Sequence, residues 1–375
     1  MKIVADSKIP FLENVFGPGV EMAFLQGNQI TKKDLLDADA LITRSITKCS
    51  AALLENTKIK FIATATIGDD HIDKVFCEKN NIHWANAAGC NSVAVGQYVL
   101  AAILNFAIGK KLSLDGLVIG IVGVGHIGSR IEESAKALGL KVLLSDPPRE
   151  EVEGRPGFLP LDRLQEEADI ITFHVPLTKS GKHRTFHVAD KPFFEKVKKP
   201  ILIINTSRGE VVDTKALKNA ISDQTIKHSV IDVWENEPEI DNELLRVVDI
   251  ATPHIAGYSI EGKATGTAMA VKAISRFFNL GLDNWYPEIK PPEQNIISID
   301  CLGKNNLEII HEMILATYNI EKDDKGFRAS VREFESLRGN YPFRHEFGAY
   351  LFKMNNCNKK IIGFVNKLGF KTIIK

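Results

Sequence analysis

The chain has 375 residues, with Lys+Arg and Asp+Glu both at 47 and a formal net charge of zero. That length calls for roughly two or three domains, and the balanced charge gives no reason to expect nucleic acid or an anionic membrane surface as a partner. The opening MKIVADSKIP reads as a short strand without a signal segment, and no later run reaches the roughly 18 apolar residues of a membrane span, so a cytoplasmic protein is expected. The five cysteines (Cys49, Cys77, Cys90, Cys301, Cys357) are odd in number, scattered and without a CxxC pair. They are expected to be reduced packing residues, with neither a disulfide framework nor a metal site.

In chain order, KIVAD, DALITR (39–44), FIATAT (61–66) and IHWAN (82–86) read as strands alternating with helical patterns, which is the signature of an α/β fold with a parallel sheet. Ser92–Gly109 reads as a helix buried on most sides, capped by Asn91 or Ser92. The alternation then restarts with VIGIVG, KVLLSD, DIITFH, ILIINTS, SVIDVW and DIATPH, and the run Val247–Ala251 reads as a buried strand. Six strands in this order predict a doubly wound nucleotide-binding domain. A helix through AMAVKAISRFF to about Asn279 and a proline-marked linker, NWYPEIKPPEQN, follow. From about residue 293 the pattern is a strand NIISID, two helices, then strand (HEFGAYLF), helix (NKKIIGFVNKLGF) and strand (KTIIK). This separate α+β module carries no cluster of chemistry-bearing residues and is expected to serve assembly.

Gly123-Val124-Gly125-His126-Ile127-Gly128 closes a strand and opens a helix, the context in which GxGxxG binds a dinucleotide pyrophosphate. About twenty residues on, where an acid for the ribose hydroxyls is required, KVLLSD ends in Asp146, which favours NAD over NADP. Arg149 is the one nearby residue that opposes this choice, unless it is a surface arginine. Arg208, Glu237 and His254 all fall at or just beyond the C-terminal ends of strands, where open α/β sheets bind ligands. Taken singly, the first two fit surface ion pairs and the last a core histidine. Together they are the parts for hydride transfer on a 2-hydroxy acid. Arg208 would hold the carboxylate or polarise the carbonyl, His254 would carry the hydroxyl proton, and Glu237 would orient the imidazole and stabilise its protonated form. The backbone amides of Ile67 and Gly68 can hold the substrate carboxylate. Arg44 and Ser45, at the end of DALITR, can meet a second anionic group, with Lys48 as an extra charge and an internal ion pair as the alternative for Arg44.

NTSRGEVVD, DVWENEPE and TPHIAGYSIEGK, with the glycine motif and LSDPPR, resemble the signature blocks of the NAD-dependent D-2-hydroxyacid dehydrogenases over about residues 1–285. LITRSITK, ATATIGDDHID, NAAGCNSVAVGQYV and HIAGYSIEGKATGT are similar to a branch whose substrate carries a terminal phosphate and whose extra C-terminal module makes homodimers. The resemblance implies catalytic roles for Arg208, Glu237 and His254. It places Ser45, Thr66 and Tyr258 at the substrate. Gly123, Gly125, His126, Ile127, Gly128, Asp146, Val175, Thr206, Ser207, Asp232 and Gly257 fall at NAD. Val175 stands where relatives often carry threonine, so only backbone contact is expected there. The implied domains are 1–91 with 258–285 for substrate, 92–257 for NAD and 286–375 for dimerisation. The alternatives are a dehydrogenase of another hydroxy acid, such as glycerate or 3-phosphoglycerate, and an NAD-sensing corepressor-like binding protein.

Overall fold

Each strand of the two large sheets is short and almost wholly apolar, as parallel strands covered on both faces must be. In the computed structural model, which describes residues 1–154, 157–199 and 201–374, the chain divides into two compact units, Met1–Asn91 with Ser259–Lys290, and Ser92–Tyr258 with Pro291–Lys375.

The first unit holds β1 (Lys2–Asp6), β2 (Glu21–Leu25), β3 (Ala40–Thr43), β4 (Phe61–Thr64) and β5 (His83–Asn86). Among the described residues they form one parallel sheet in the order β2-β1-β3-β4-β5. The strand direction of winding reverses between β1 and β3, so the C-terminal ends of those two strands are where a ligand crevice is expected. The sequence reading missed β2. It lies at the sheet edge and is only partly buried, so no apolar run marks it. The helix Ile260–Phe278 returns to this unit and buries Ala270, Val271 and Ile274 on the sheet. Gly266 allows that approach, since a Cβ there would lie 2.6 Å from the Ala65 carbonyl oxygen.

The second unit begins with the helix Ser92–Gly109, the boundaries expected from the sequence. It is long and apolar enough to cross a membrane, against the expectation that no such run exists, yet 67% of it is buried inside the protein, and it serves as a core helix. Strands β6 (Val118–Val122), β7 (Lys141–Ser145), β8 (Ile170–Phe173), β9 (Ile201–Asn205), β10 (Ile226–Ile231) and β11 (Ile250–Ala251) follow. Their order is β11-β10-β9-β8-β6-β7, all parallel. In the doubly wound dinucleotide fold a further strand flanks the second, and here it survives as a single bridge, Phe158 beside Leu144. The run Val247–Ala251 is not one strand. The helix Asn242–Val247, capped by Asp241, takes its first residue, and only Ile250–Ala251 pair with the sheet.

The C-terminal segment contributes β12 (Ile296–Asp300), β13 (Leu351–Asn355) and β14 (Lys371–Ile374), paired in that order. The middle strand starts at Leu351, later than HEFGAYLF suggested, because Phe347 turns inward to stack on Phe370 at 4.6 Å. This segment does not stand apart from the nucleotide-binding fold. Ile310, Met313 and Phe352 share one core with Tyr98, Ile121 and Ile204. Phe327 and Phe334 join the core on the other side of the sheet, with Trp234, Leu244 and Ile203. Between these two anchor points the segment crosses the β11 edge, where Asp324 Oδ1 accepts the Ala251 N–H at 2.7 Å. Arg328 donates to the carbonyls of Leu245 and Val248. Edge groups that would otherwise invite a further strand are thus occupied by side chains.

The reduced state expected for all five cysteines is corrected by the structure, in which Cys301 and Cys357 form a disulfide. Each follows the C-terminal end of one of the neighbouring strands β12 and β13, and strand pairing brings their Cα atoms to 5.1 Å, within bonding range. A sequence separation of 56 residues concealed the pairing. Cys49, Cys77 and Cys90 remain thiols. Thiol titration of the unreduced protein in denaturant should therefore count three groups, and five after reduction. Peptide mapping without reductant should recover the Cys301–Cys357 link.

Candidate active site

The glycine loop lies at the reversal of winding between β6 and β8. Gly123 has φ 88°, and a Cβ there would meet His174 O at 2.6 Å and Val175 Cγ1 at 2.7 Å. At Gly128 a Cβ would lie 2.1 Å from Gly123 O, so the helix His126–Ala137 can approach the strand only without a side chain at that position. Gly125 is different, with nothing within 4 Å of its Cβ direction. Two glycines are required for packing, and the middle one leaves room for a pyrophosphate at the helix N-terminus. His126 is exposed and Ile127 half-buried.

Asp146, after β7, accepts from Val124 N at 2.8 Å and, as a helix cap, from Arg149 N at 3.1 Å. Arg149 is not a loose surface charge. Its guanidinium pairs with Glu153 at 2.7 Å and donates to the Val124 carbonyl. Val175 closes apolar against Gly123 and carries no hydroxyl. An open central glycine beside a fixed carboxylate suits a dinucleotide with free ribose hydroxyls.

Strands β9, β10 and β11 are neighbours, and their C-terminal ends bring Arg208, Glu237 and His254 to one end of the sheet. After β9, Asn205 shapes the turn. Its Oδ1 accepts from the Ser207 amide and hydroxyl, and its Nδ2 donates to the Arg208 carbonyl at 2.9 Å. Thr206 is buried, with its hydroxyl 3.3 Å from His174 Nδ1. Arg208 Nη1 donates to Ser207 O at 2.8 Å. Gly209 fits only as glycine, since its Cβ would fall 1.9 Å from the Trp234 carbonyl carbon. The turn bearing Arg208 thereby packs directly on the segment that leads to Glu237.

His254 Nδ1 lies 2.8 Å from Glu237 Oε2, and Glu237 Oε1 accepts from Trp234 N at 2.9 Å. With Nδ1 engaged by a carboxylate, Nε2 is the imidazole nitrogen left for a substrate. Burial pushes the Glu237 carboxyl up, but the charge and hydrogen bond of His254, the Trp234 amide and the charge of Arg338 together hold it below the ordinary glutamate range. His254 has φ 59°, a left-handed conformation uncommon outside glycine, although histidine adopts it more readily than most side chains. Its neighbours are pinned on both sides. Asp232, almost wholly buried, takes the His254 amide on its carbonyl at 2.7 Å and the amides of Ile255 and Ala256 on its carboxylate at 2.8 and 3.0 Å. Burial pushes the Asp232 carboxyl up, against the charge of His254, the Thr252 hydroxyl and these two amides. From the C-terminal segment, buried Arg344 donates to the carbonyls of Ile255 and Ala256 and lies 4.1 Å over the Tyr318 ring. Gly257 and Tyr258 follow this clamped loop, and the Tyr258 hydroxyl accepts from Arg338 Nε at 3.2 Å.

In the other unit, Arg44 stands at the end of β3 with its Nε 2.8 Å from Asp6 Oδ2, a fully buried carboxylate at the end of β1. The internal ion pair left open by the sequence is therefore present. Ser45 is exposed. Thr66 bonds Thr64 at 2.7 Å, and Asn86 Nδ2 holds the Ile67 carbonyl at 2.9 Å. The amides of Ile67 and Gly68 donate to no acceptor among the described residues. Asp324, Arg328, Arg338 and Arg344 escaped the sequence reading, because each acts on residues some 73 to 89 positions upstream and no spacing signal spans that distance.

Residues 105–256 match the family model for the D-isomer specific 2-hydroxyacid dehydrogenase NAD binding domain, and residues 291–369 match a domain of unknown function (DUF3410). The chain is 46% identical to the erythronate-4-phosphate dehydrogenase of Bacteroides thetaiotaomicron over 93% of its length and 98% of that protein. It is 38% identical to that of Escherichia coli over 100% of its length and 99% of that protein. Among solved structures, the 3-phosphoglycerate dehydrogenase of Entamoeba histolytica with bound NAD superposes with a TM-score of 0.62 at 25% identity, covering 77% of this chain and 99% of that one. The NAD-dependent formate dehydrogenase of Staphylococcus aureus with NAD gives 0.61 at 25% identity, covering 74% and 96%.

His174, next to the glycine loop, is half-buried, and desolvation lowers its pKa to about 3 from 6.5. Folded protein therefore binds fewer protons here than unfolded chain between those values, so this group costs stability as pH falls from about 6.5 toward about 3 and nothing above it. Replacing it by glutamine, which cannot protonate, should narrow the melting-temperature gap between wild type and variant as pH is lowered through that window.

Proposed function

The chain belongs to the erythronate-4-phosphate dehydrogenases, within the D-2-hydroxyacid dehydrogenase family, and from that membership we propose that it oxidises 4-phospho-D-erythronate to (R)-3-hydroxy-2-oxo-4-phosphobutanoate, a step of pyridoxal 5′-phosphate biosynthesis. The observation that carries this reading is the His254–Glu237 pair at 2.8 Å, set on the same sheet end as Arg208 and downstream of a glycine loop shaped for NAD. NAD, when bound, would supply the acceptor for the hydride at C2. The protein's share is the proton and the charge. His254 Nε2 takes the C2 hydroxyl proton, Glu237 stabilises the imidazolium so formed, and Arg208 polarises the developing carbonyl and holds the carboxylate. Gly125 and the first turn of the helix at His126 and Ile127 would take the pyrophosphate, and Asp146 the adenine-side ribose. Val175, Thr206, Ser207 and Gly257 would line the remainder. Asp232 contributes by shaping the loop through Gly257.

For the substrate, the amides of Ile67 and Gly68 are suited to the carboxylate, and Ser45, Thr66 and Tyr258 to its hydroxyls and phosphate. Arg44 is neutralised by Asp6, which limits what its charge can add. A dehydrogenase of glycerate or 3-phosphoglycerate would use the same dyad, and a screen of hydroxy acids followed by NADH absorbance separates the readings. His254→Ala should lower kcat by about 10²–10⁴-fold, Glu237→Gln by less, and Arg208→Lys should not restore activity because a point charge lacks the planar fork. NAD binding that survives these changes would locate the defect in chemistry. Near-normal turnover by His254→Ala would overturn the assignment, and equal use of NADP by the unaltered enzyme would overturn the role of Asp146.

We also infer a homodimer and a cytoplasmic location, where NAD and phosphorylated metabolites are kept. Support for the dimer lies in the small C-terminal sheet, whose outer face exposes Ile296 (58%) and Ile373 (40%) beside half-buried Leu351. Sedimentation of the full chain should give a dimer, and Ile296→Glu with Ile373→Glu a monomer. A monomeric wild type at micromolar concentration would refute it.

A further inference from the structure

Three arginines of the C-terminal segment meet the catalytic half of the chain, and they do so in two ways. Arg328 pairs with Asp324 and donates to two backbone carbonyls, and Arg344 donates to backbone carbonyls, which is a structural use. Arg338, on the short helix Phe334–Gly339, does not. Its Nε donates to the Tyr258 hydroxyl at 3.2 Å, and its Nη1 lies 3.9 Å from Glu237 Oε2, too far for a hydrogen bond. Both Glu237 oxygens already accept, from His254 and from Trp234. Arg338 Nη2 has no partner among the described residues, and the side chain is 22% exposed. Tyr258 in turn is set by Tyr341 and Phe343, edge-on at 6.1 and 5.9 Å. A preformed cation with open donors therefore stands beside the tyrosine proposed to reach the substrate and within one residue of the His254–Glu237 pair.

A phosphomonoester brings close to two negative charges that the carboxylate-binding residues do not answer. Arg44 is held by Asp6, and Arg208 is assigned to the reacting end. We propose that Arg338 is a substrate-binding residue that, with Tyr258, holds the terminal phosphate of the hydroxy acid. The C-terminal segment thus supplies specificity as well as structure. This rests on the function proposed above and deepens it. An arginine is suited to the task because its fork can give two parallel charge-assisted hydrogen bonds to phosphate oxygens.

The test compares kcat/KM on 4-phosphoerythronate and on unphosphorylated erythronate for wild type, Arg338→Gln and Arg338→Lys, with NAD affinity and thermal unfolding as checks on folding. In Arg338→Gln the ratio of the two should fall about 10- to 100-fold through KM for the phosphorylated acid, the loss expected for a charge-assisted hydrogen bond. Arg338→Lys keeps the charge and should lose severalfold, so it carries the test if the glutamine variant does not fold. Equal losses on both acids, through kcat and with a displaced acidic limb of the pH profile, would make Arg338 a positioning residue for the Glu237–His254 pair and overturn the proposal. If wild type shows no preference for the phosphorylated acid, the proposed function itself fails. If wild type prefers it and both variants keep its KM, only the role of Arg338 falls.

Discussion

The buried carboxylate of Asp232 is the interaction on which the site depends. A loop that leaves a parallel strand and must present an imidazole in a left-handed conformation has no regular structure to satisfy its amides, and leaving them unpaired in a low-dielectric interior is costly. Asp232 accepts the amides of Ile255 and Ala256 and the Thr252 hydroxyl, and its own carbonyl accepts the His254 amide. Arg344 performs the complementary task on the carbonyl side of the same peptides. One buried anion and one buried cation thus grip a short loop from opposite ends of its peptide dipoles. The strain at His254, of the order of 1–3 kcal/mol for such a conformation, is sustained by that grip.

This arrangement makes the end of the chain part of the catalytic unit. A nucleotide-binding sheet alone would leave the β11 edge open and the apolar faces next to it in water. Here Ile310 and Met313 fill one face, Phe327 and Phe334 fill the other, and Asp324 occupies the edge between them. Arg338 and Arg344 therefore project from a segment fixed by apolar packing on both sides of the sheet. A guanidinium placed in this way gives up little rotamer entropy when it meets an anion, which is the advantage of a preorganised donor.

Much of this was legible in the sequence. The glycine loop, the acid after β7 and the Arg-Glu-His set sit at strand ends, and local patterning reports strand ends well. The apolar helix from Ser92 to Gly109 was readable for the same reason. What escaped depends on pairings across the chain. β2 is a half-exposed edge strand with no periodicity to detect. The Cys301–Cys357 bond exists because two strands far apart in sequence lie side by side. Arg44 was recognised as a charge at a strand end, but its neutralisation by Asp6 follows from the adjacency of β1 and β3 in the sheet order, which no local window contains. Arg338 and Arg344 carry no local signal at all, because their partners lie about eighty residues upstream.

The disulfide has a topological consequence. Its 56-residue span encloses Asp324, Arg328, Arg338 and Arg344, side chains by which the C-terminal segment holds the catalytic loop and the β11 edge. A single proteolytic nick inside that ring would convert it to a linear two-ended strap without releasing either end, because the sulfur bond still ties the pieces together. Fragments would separate only under reducing conditions. Cys301 and the strand that precedes Cys357 are therefore joined by two covalent routes, one through the peptide chain and one through sulfur, and both must be broken before the chain beyond Cys357 is lost.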